Sequence, residues 1–190
     1  MNKHLIYFLS IGLFISVFIS CGTSQEKKTA KPIDTLSVYK KPLEDVNKKL
    51  VESEDEQIND FIARYGWKMN ATGTGLRYLI YKSGNGENTE RGKVAKMNFE
   101  VRLITGDLCY SSKTDGPKEM LLGKSGEISG LEEALLLMKV GDKAKFIIPS
   151  HLAFGLLGDE NKIPKRATLV YDIELLEIKE SNNNSTNIEN

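Results

Sequence analysis

Four stretches follow one another closely in the last third of the chain: Gly130-Leu-Glu-Glu-Ala-Leu-Leu-Leu-Met138, Val140-Gly-Asp-Lys-Ala-Lys-Phe-Ile-Ile-Pro149, Ala153-Phe154-Gly155 and Ile163-Pro-Lys-Arg-Ala-Thr-Leu-Val-Tyr-Asp-Ile-Glu-Leu-Leu176. Leu131, Ala134, Leu135 and Met138 recur at the spacing that lays one helical face on a neighbouring layer, which predicts a helix over 131–138. Residues 143–149 and 167–178 read as strands, the second long enough for the centre of a sheet. Working outward, 76–81 alternates and is aromatic, Ser83-Gly84-Asn85-Gly86 is rich in turn formers, and 94–104 and 118–122 supply further strands, with Thr105-Gly106-Asp107 turning the chain between them. Several strands and one short helix across them predict an α+β domain with a mainly antiparallel sheet.

The front of the chain has a different character. Lys3 is followed by an uncharged apolar run over 5–19 that ends at Ser20-Cys21, the anatomy of a signal peptide over 1–20. A spanning helix needs about 20 apolar residues, and the polar run from Gly22 begins at once. Phe18-Ile19-Ser20-Cys21 resembles a bacterial lipobox, which makes Cys21 the expected lipidation site and membrane anchor. Residues 21–41 are polar and lysine-rich and are expected to form a tether, in which Asp34-Thr35-Leu36 is a weak match to a bacterial glycosylation acceptor. From Pro42 the spacing of Leu43, Val46, Leu50, Ile58, Phe61, Ile62 and Tyr65 turns helical, so 42–66 is expected to be a helical extension, as one long helix or two short ones. Its apolar stripe could pack on the domain or pair two copies as a homodimer; Glu52-Ser53-Glu54-Asp55-Glu56 reads as a solvated acidic face. The asparagine-rich 180–190 is an expected disordered tail.

Charge and residue counts exclude several classes of chemistry. Removing 1–20 takes Lys3 from the 26 Lys plus Arg and leaves 25 against 26 Asp plus Glu, so no nucleic-acid footprint is present. Only Cys109 accompanies Cys21, which leaves no disulfide within a lipidated chain, and His151 is the one histidine beyond the signal segment, which argues against a metal site. Ser150, His151 and Asp159 could suggest a hydrolase, but neighbours on a strand would point opposite ways. No glycine-rich phosphate loop opens a helix, and no cofactor is expected.

Together with Leu122-Gly123-Lys124, the order and spacing of the four opening stretches resemble an FKBP-type peptidyl-prolyl cis/trans isomerase domain over 75–179. The resemblance implies a half-wrapped sheet with a ligand pocket beneath the helix. It also implies pocket positions. Phe99 stands where a wall tyrosine is usual, Cys109 for a wall phenylalanine, Tyr110 for a buried aspartate and Met120 for another wall aromatic. Glu127 and Ile128 fall in the loop whose main chain meets the substrate backbone, with the Glu127 side chain expected to point outward. Leu131 replaces a floor tryptophan, Phe154 replaces a tyrosine that hydrogen-bonds the substrate carbonyl, and Ile163 and Tyr171 keep apolar and aromatic positions. Phe99, Tyr110, Phe154 and Tyr171 are therefore the expected catalytic set, with Tyr110 a candidate replacement hydroxyl. Without the resemblance, Phe99, Met120, Leu131, Ile163 and Tyr171 read as ordinary core residues.

Such a pocket needs no nucleophile. The barrier to amide rotation, about 18–20 kcal/mol, is lost resonance, and a thousandfold acceleration requires only about 4 kcal/mol. The expected function is prolyl isomerisation of X-Pro segments in exported proteins, at the periplasmic side of the outer membrane. Gly158-Asp-Glu-Asn-Lys-Ile-Pro164 and the extension most resemble the FKBP lipoproteins of bacterial gliding motility. The alternative is a catalytically weak domain serving as a holdase or an envelope scaffold.

Overall fold

Alternation of inward and outward residues along two neighbouring strands decides how the layers stack. The computed structural model describes residues 35–124 and 126–181, with side chains from residue 40. The elements run α1 (Thr35–Tyr65), β1 (Asn70–Ala71), β2 (Arg77–Lys82), β3 (Lys93–Leu103), β4 (Leu108–Ser111), α2 (Ser112–Asp115), β5 (Lys118–Leu121), α3 (Ser129–Leu136), β6 (Lys143–Ile148), a 3-10 turn (Ser150–Leu152) and β7 (Leu169–Glu180). The strands form one antiparallel sheet in the order β1-β2-β6-β7-β3-β4, and β5 pairs with the first half of β3. The α+β sheet with a helix across it matches the expected architecture.

Along β6, Phe146 and Ile148 face α3 while Ile147 faces the other way, and along β7 Tyr171 and Ile173 face α3 while Val170 does not. The face toward α3 carries the main core. The opposite face, through Ile147 and Val170, packs against Ile58 and Phe61 of α1, with Ile62, Trp67, Met69 and Ile104 around them. Both faces of the sheet centre are thus covered, which is why β6 ends in the apolar run Phe146-Ile147-Ile148, all buried.

Gly130 sets how closely α3 can approach. A Cβ at this position would lie 2.3 Å from Ile148 Cγ2 and 3.0 Å from the Leu152 carbonyl oxygen, so only glycine fits between helix and strand. The helix closes earlier than the predicted 131–138. The single proton of the buried Thr89 hydroxyl faces the carbonyl oxygens of Leu135 (2.7 Å) and Met138 (3.0 Å), and the Thr89 N–H donates to the Met138 carbonyl, occupying groups a further turn would use.

Several expectations about the extension change. α1 is one helix, and it begins at Thr35 rather than Pro42, so residues 35–41 of the expected tether are helical. Pro42 lies inside it and supplies no N–H to the carbonyl four residues back. Residues from Leu43 onward belong to one compact unit, and those up to Pro42 group apart. The stripe divides: Ile58 and Phe61 are buried, whereas Leu43, Val46 and Leu50 are exposed. Nor is the acidic run uniformly solvated, because Glu54 and Asp55 are half-buried and bonded to the domain. Glu180, placed in the expected tail, closes β7. The signal segment 1–20, Cys21, the tether up to 34 and the tail from 182 lie outside the described residues.

Asp142 is 2% exposed and ties the turn before β6 to the loop after β2, accepting from the N–H groups of Gly84 (2.6 Å) and Lys139 (2.9 Å). Hydrogen bonds to a charged group contribute about 1.5–3 kcal/mol each. Asp142→Ala is expected to cost about 3 kcal/mol, and at about 2–4 °C per kcal/mol thermal melting should fall by roughly 10 °C. An unchanged midpoint would contradict this role.

Candidate functional site

Register brings the site together. Across the sheet Val101 pairs with Tyr110 on β4 and with Tyr171 on β7, and Phe99 lies two residues before Val101 on the same face. The Phe99 N–H donates to the Ser112 hydroxyl (3.0 Å), fixing β3 against the start of α2. Leu131 of α3 and Phe154, Asp159 and Ile163 from the segment between β6 and β7 complete a cavity of about 290 Å³, with Met97, Asp115, Lys118 and Glu127 around it.

Of the ten expected pocket positions, Phe99, Tyr110, Glu127, Leu131, Phe154, Ile163 and Tyr171 line this cavity. Cys109, Met120 and Ile128 do not. Met120 pairs with Ala95 and is buried in the core, whereas Lys118, one pleat back on the same face and about 6.8 Å along the strand, pairs with Met97 and reaches the cavity. The wall position assigned to Met120 therefore belongs to Lys118. Cys109 is buried beside Tyr110, its thiol 3.8 Å from the carbonyl oxygens of Asp107 and Lys162; burial, then the Asp159 charge, push it toward the neutral thiol. Ile128 precedes α3, and its carbonyl accepts from the N–H groups of Leu131 (3.1 Å) and Glu132 (3.3 Å), while its side chain packs on the main core. The Glu127 side chain does not point away: it lines the cavity and meets Lys118 Nζ at 2.7 Å.

Tyr110 and Asp159 form a second polar pair at the site. The Tyr110 hydroxyl donates to Asp159 Oδ2, so it is committed to a carboxylate rather than free for a substrate carbonyl, contrary to the replacement role expected of it. Oδ1 accepts from the N–H groups of Asn161 (3.0 Å) and Ile163 (2.7 Å), folding the loop into a turn that presents Ile163. Lys162 Nζ stands 4.9 Å from the centre of the Tyr110 ring, within cation–π range. Gly158, at φ 75°, makes the turn possible: a Cβ there would lie 2.3 Å from the Ile163 carbonyl oxygen.

The charges follow from these bonds. Burial works against the Asp159 carboxylate, but the Tyr110 hydroxyl and the N–H groups of Ile163, Asn161 and Lys162 outweigh it and hold its pKa below the usual range. The bonded carboxylate, then burial, push the Tyr110 phenol up. Burial, then the Glu127 charge, do the same to Tyr171, which stays neutral. A lowered folded-state pKa at Asp159 contributes stability above about pH 4, its unfolded value, and that contribution is lost as pH falls through the folded value. The raised Tyr110 contributes below about pH 10 and is lost as pH rises through its own folded value. The stability difference between the natural chain and Asp159→Asn should therefore be flat from about pH 4 to pH 10. It should shrink in acid; urea unfolding measured across pH checks this, and a difference that persists well below pH 3 contradicts it.

Ser150, His151 and Asp159 do not meet as a hydrolytic triad. Ser150 and His151 lie in the 3-10 turn rather than on a strand, Ser150 Oγ donates to Glu54, and His151 Nε2 lies 3.0 Å from the Thr74 carbonyl oxygen. Asp159 is held by Tyr110. Sequence reasoning missed Lys118 and Asp159 as cavity residues. The first was one pleat from the chosen position. The second carried a local sign in Gly158-Asp159, since an aspartate after a turn glycine readily bonds the main chain two residues on.

Comparison with known proteins places residues 85–176 under the description FKBP-type peptidyl-prolyl cis-trans isomerase. The chain is 37% identical over 110 residues to the probable FKBP-type peptidyl-prolyl cis-trans isomerase FkpA of Neisseria meningitidis serogroup B, covering 58% of this chain and 40% of that protein. It is 38% identical over 111 residues to the FKBP-type 22 kDa peptidyl-prolyl cis-trans isomerase of Escherichia coli K12, covering 58% of this chain and 53% of that one. The matched part spans about half the length of these curated relatives. The crystal structure of FkpA from Escherichia coli superposes with a TM-score of 0.60 at 26% identity, covering 95% of this chain and 83% of that one.

Proposed function

We propose that this chain, whose residues 85–176 match the description FKBP-type peptidyl-prolyl cis-trans isomerase, catalyses cis/trans isomerisation of X-Pro bonds in exported proteins. The observation that carries the reading is the cavity beneath α3, where Phe99, Leu131, Phe154, Ile163 and Tyr171 offer an apolar seat of the size of a prolyl ring and its neighbour. The planar amide keeps partial charge separation and the twisted amide loses it, so an apolar seat favours the twisted state relative to the ground state. No proton is transferred and no covalent bond forms or breaks. The polar atoms at the rim position the chain: Lys118 and Glu127 hold one another, and Asp159 holds the turn that presents Ile163.

Slow X-Pro isomerisation limits refolding over tens of seconds. Catalytic amounts of the chain from Gly22 onward should shorten a proline-limited refolding phase, and a phase that keeps its uncatalysed rate at micromolar chain would count against the proposal. The setting proposed is the outer membrane, facing the periplasm, through a lipid on Cys21. This rests on the lipobox-like Phe18-Ile19-Ser20-Cys21, and absence of fatty-acid label that Cys21→Ala removes would overturn it. The resemblance of the Gly158–Pro164 loop and of the extension supports a further assignment to the gliding machinery. That assignment predicts lost colony spreading when the pocket alone is disabled in the cell; spreading that continues normally sinks it.

The extension is also proposed to pair two copies, because Leu43, Val46 and Leu50 are exposed and follow the three-then-four spacing of a coiled-coil seam. Sedimentation should show a dimer that Leu43→Glu with Leu50→Glu dissociates, whereas a natural chain that sediments as a monomer refutes the pairing. One observation favours holdase activity as a second reading: Leu156 and Leu157, 72% and 83% exposed, form an apolar tip two residues beyond Phe154. Suppressed aggregation of an unfolded client without any faster refolding would select it.

A further inference from the structure

The segment that closes the pocket is held at both ends by one side chain from outside it. Phe154, Asp159 and Ile163 all lie between Ser150 and Thr168, which are 7% and 5% exposed. Glu54 of α1 reaches both. Its Oε1 accepts from the Ser150 N–H (2.7 Å) and the Thr168 hydroxyl (2.6 Å), and its Oε2 accepts from the Ser150 hydroxyl (2.9 Å). Glu54 thus uses both oxygens on the two residues where the segment leaves β6 and enters β7. It lies outside the matched segment 85–176.

Nearby bonds fix the same corner. The next residue, Asp55, pairs with Arg77, whose Nη1 donates to the Gly75 carbonyl (2.7 Å), and His151 meets the Thr74 carbonyl oxygen at 3.0 Å. Beside Glu54 a cavity of about 300 Å³ separates Leu50, Ser53 and Gln57 of α1 from residues 164–168. Packing there is incomplete, so the segment is held on this side by hydrogen bonds. Losing the carboxylate would leave three donors, on Ser150 and Thr168, facing a space that water can enter.

We propose that Glu54 is a positioning residue for the pocket: it clamps the Ser150–Thr168 segment in the geometry that presents Phe154 and Ile163, and so makes the extension part of the site. The proposal rests on the isomerase reading for its activity arm and on geometry alone for its exchange arm. A loosened clamp lowers the share of chains whose pocket is assembled, which weakens apparent substrate affinity in proportion to that share.

Hydrogen exchange and peptide kinetics on the chain from Gly22 onward test this together, comparing the natural chain with Glu54→Ala, Glu54→Gln and the control Glu52→Ala. Glu52 is an exposed neighbour that pairs with Lys48 one turn away. In Glu54→Ala, amides of 150–163 should exchange about tenfold faster while those of β7 keep their protection. KM for an X-Pro peptide should rise about fivefold with kcat within a factor of two, whereas a general loss of folded protein would lower kcat and spare KM. Glu54→Gln should recover most of both effects, because its carbonyl keeps one acceptor and the Ser150 hydroxyl can rotate to accept from its amide. Glu52→Ala should match the natural chain. Unchanged exchange in Glu54→Ala overturns the clamp, as does unchanged KM in an active chain. If the natural chain shows no isomerase activity, the isomerase reading fails and the exchange arm still decides the clamp.

Discussion

Phe99→Ala combined with Phe154→Ala is expected to lower kcat/KM for an X-Pro peptide by about a hundredfold while leaving the chain folded. Both rings line the cavity, from β3 on one side and from the segment after the 3-10 turn on the other, and both are partly exposed. Full burial of such a side chain is worth about 1.5–3 kcal/mol. The part contributed by contact with a bound prolyl group, taken as about 1.4 kcal/mol per ring, corresponds to tenfold each in rate. Both rings pack against the main core without being fully buried, so circular dichroism should keep its native form while melting falls by a few degrees. A double variant within threefold of the natural chain would mean that the cavity beneath α3 is not where the amide twists.

Gly130→Val is expected to damage fold and activity together. The space for a Cβ is already taken by Ile148, which is fully buried, and by the Leu152 main chain. Overpacking of this kind costs about 1–3 kcal/mol, and α3 must lift from β6 to relieve it. Leu131 follows directly and lines the cavity, so the lift widens the pocket from above. Melting should fall and kcat/KM should drop at least tenfold in the fraction that remains folded. Gly130→Ala should be milder, since alanine regains about 1 kcal/mol of helix propensity over glycine. Equal melting temperatures for Gly130→Val and the natural chain would show that α3 tolerates a different seat.

Much of the fold was legible because both periodicities were strong. The alternation in 167–178 and the three-and-four spacing of Leu131, Ala134, Leu135 and Met138 are enough by themselves to mark β7 and α3. β4 and α2 were not marked, since the two four-residue elements adjoin directly and no turn signal separates them. The limits of α1 were hidden for another reason. Pro42 reads as a boundary, but the helix passes through it, and residues 40–53 are exposed, with no buried face to signal its extent.

At the site, ladder register sets Phe99, Tyr110 and Tyr171 on the cavity wall. Cys109, Met120 and Ile128 lie off that wall, whereas Phe154 and Ile163, reached through loops, line it. Met120 was displaced by one pleat from Lys118, and the loop carboxylate Asp159 escaped notice because its partner Tyr110 comes from an element 49 residues away. Glu54 was less visible still. Its meaning lies in contacts 96 and 114 residues distant, to Ser150 and Thr168, and a run of acids on a helix ordinarily means a solvated face.

The most direct test is prolyl isomerisation itself: cis/trans exchange rates of Leu-Pro and Phe-Pro peptides followed by NMR with the chain from Gly22 onward, beside the Phe99→Ala, Phe154→Ala variant. The prediction is exchange accelerated in proportion to the natural chain, with peptide-induced shifts at Leu131, Ile163 and Tyr171, and both effects largely lost in the variant. Uncatalysed exchange in the presence of the folded natural chain, or catalysis that the variant retains in full, would contradict it.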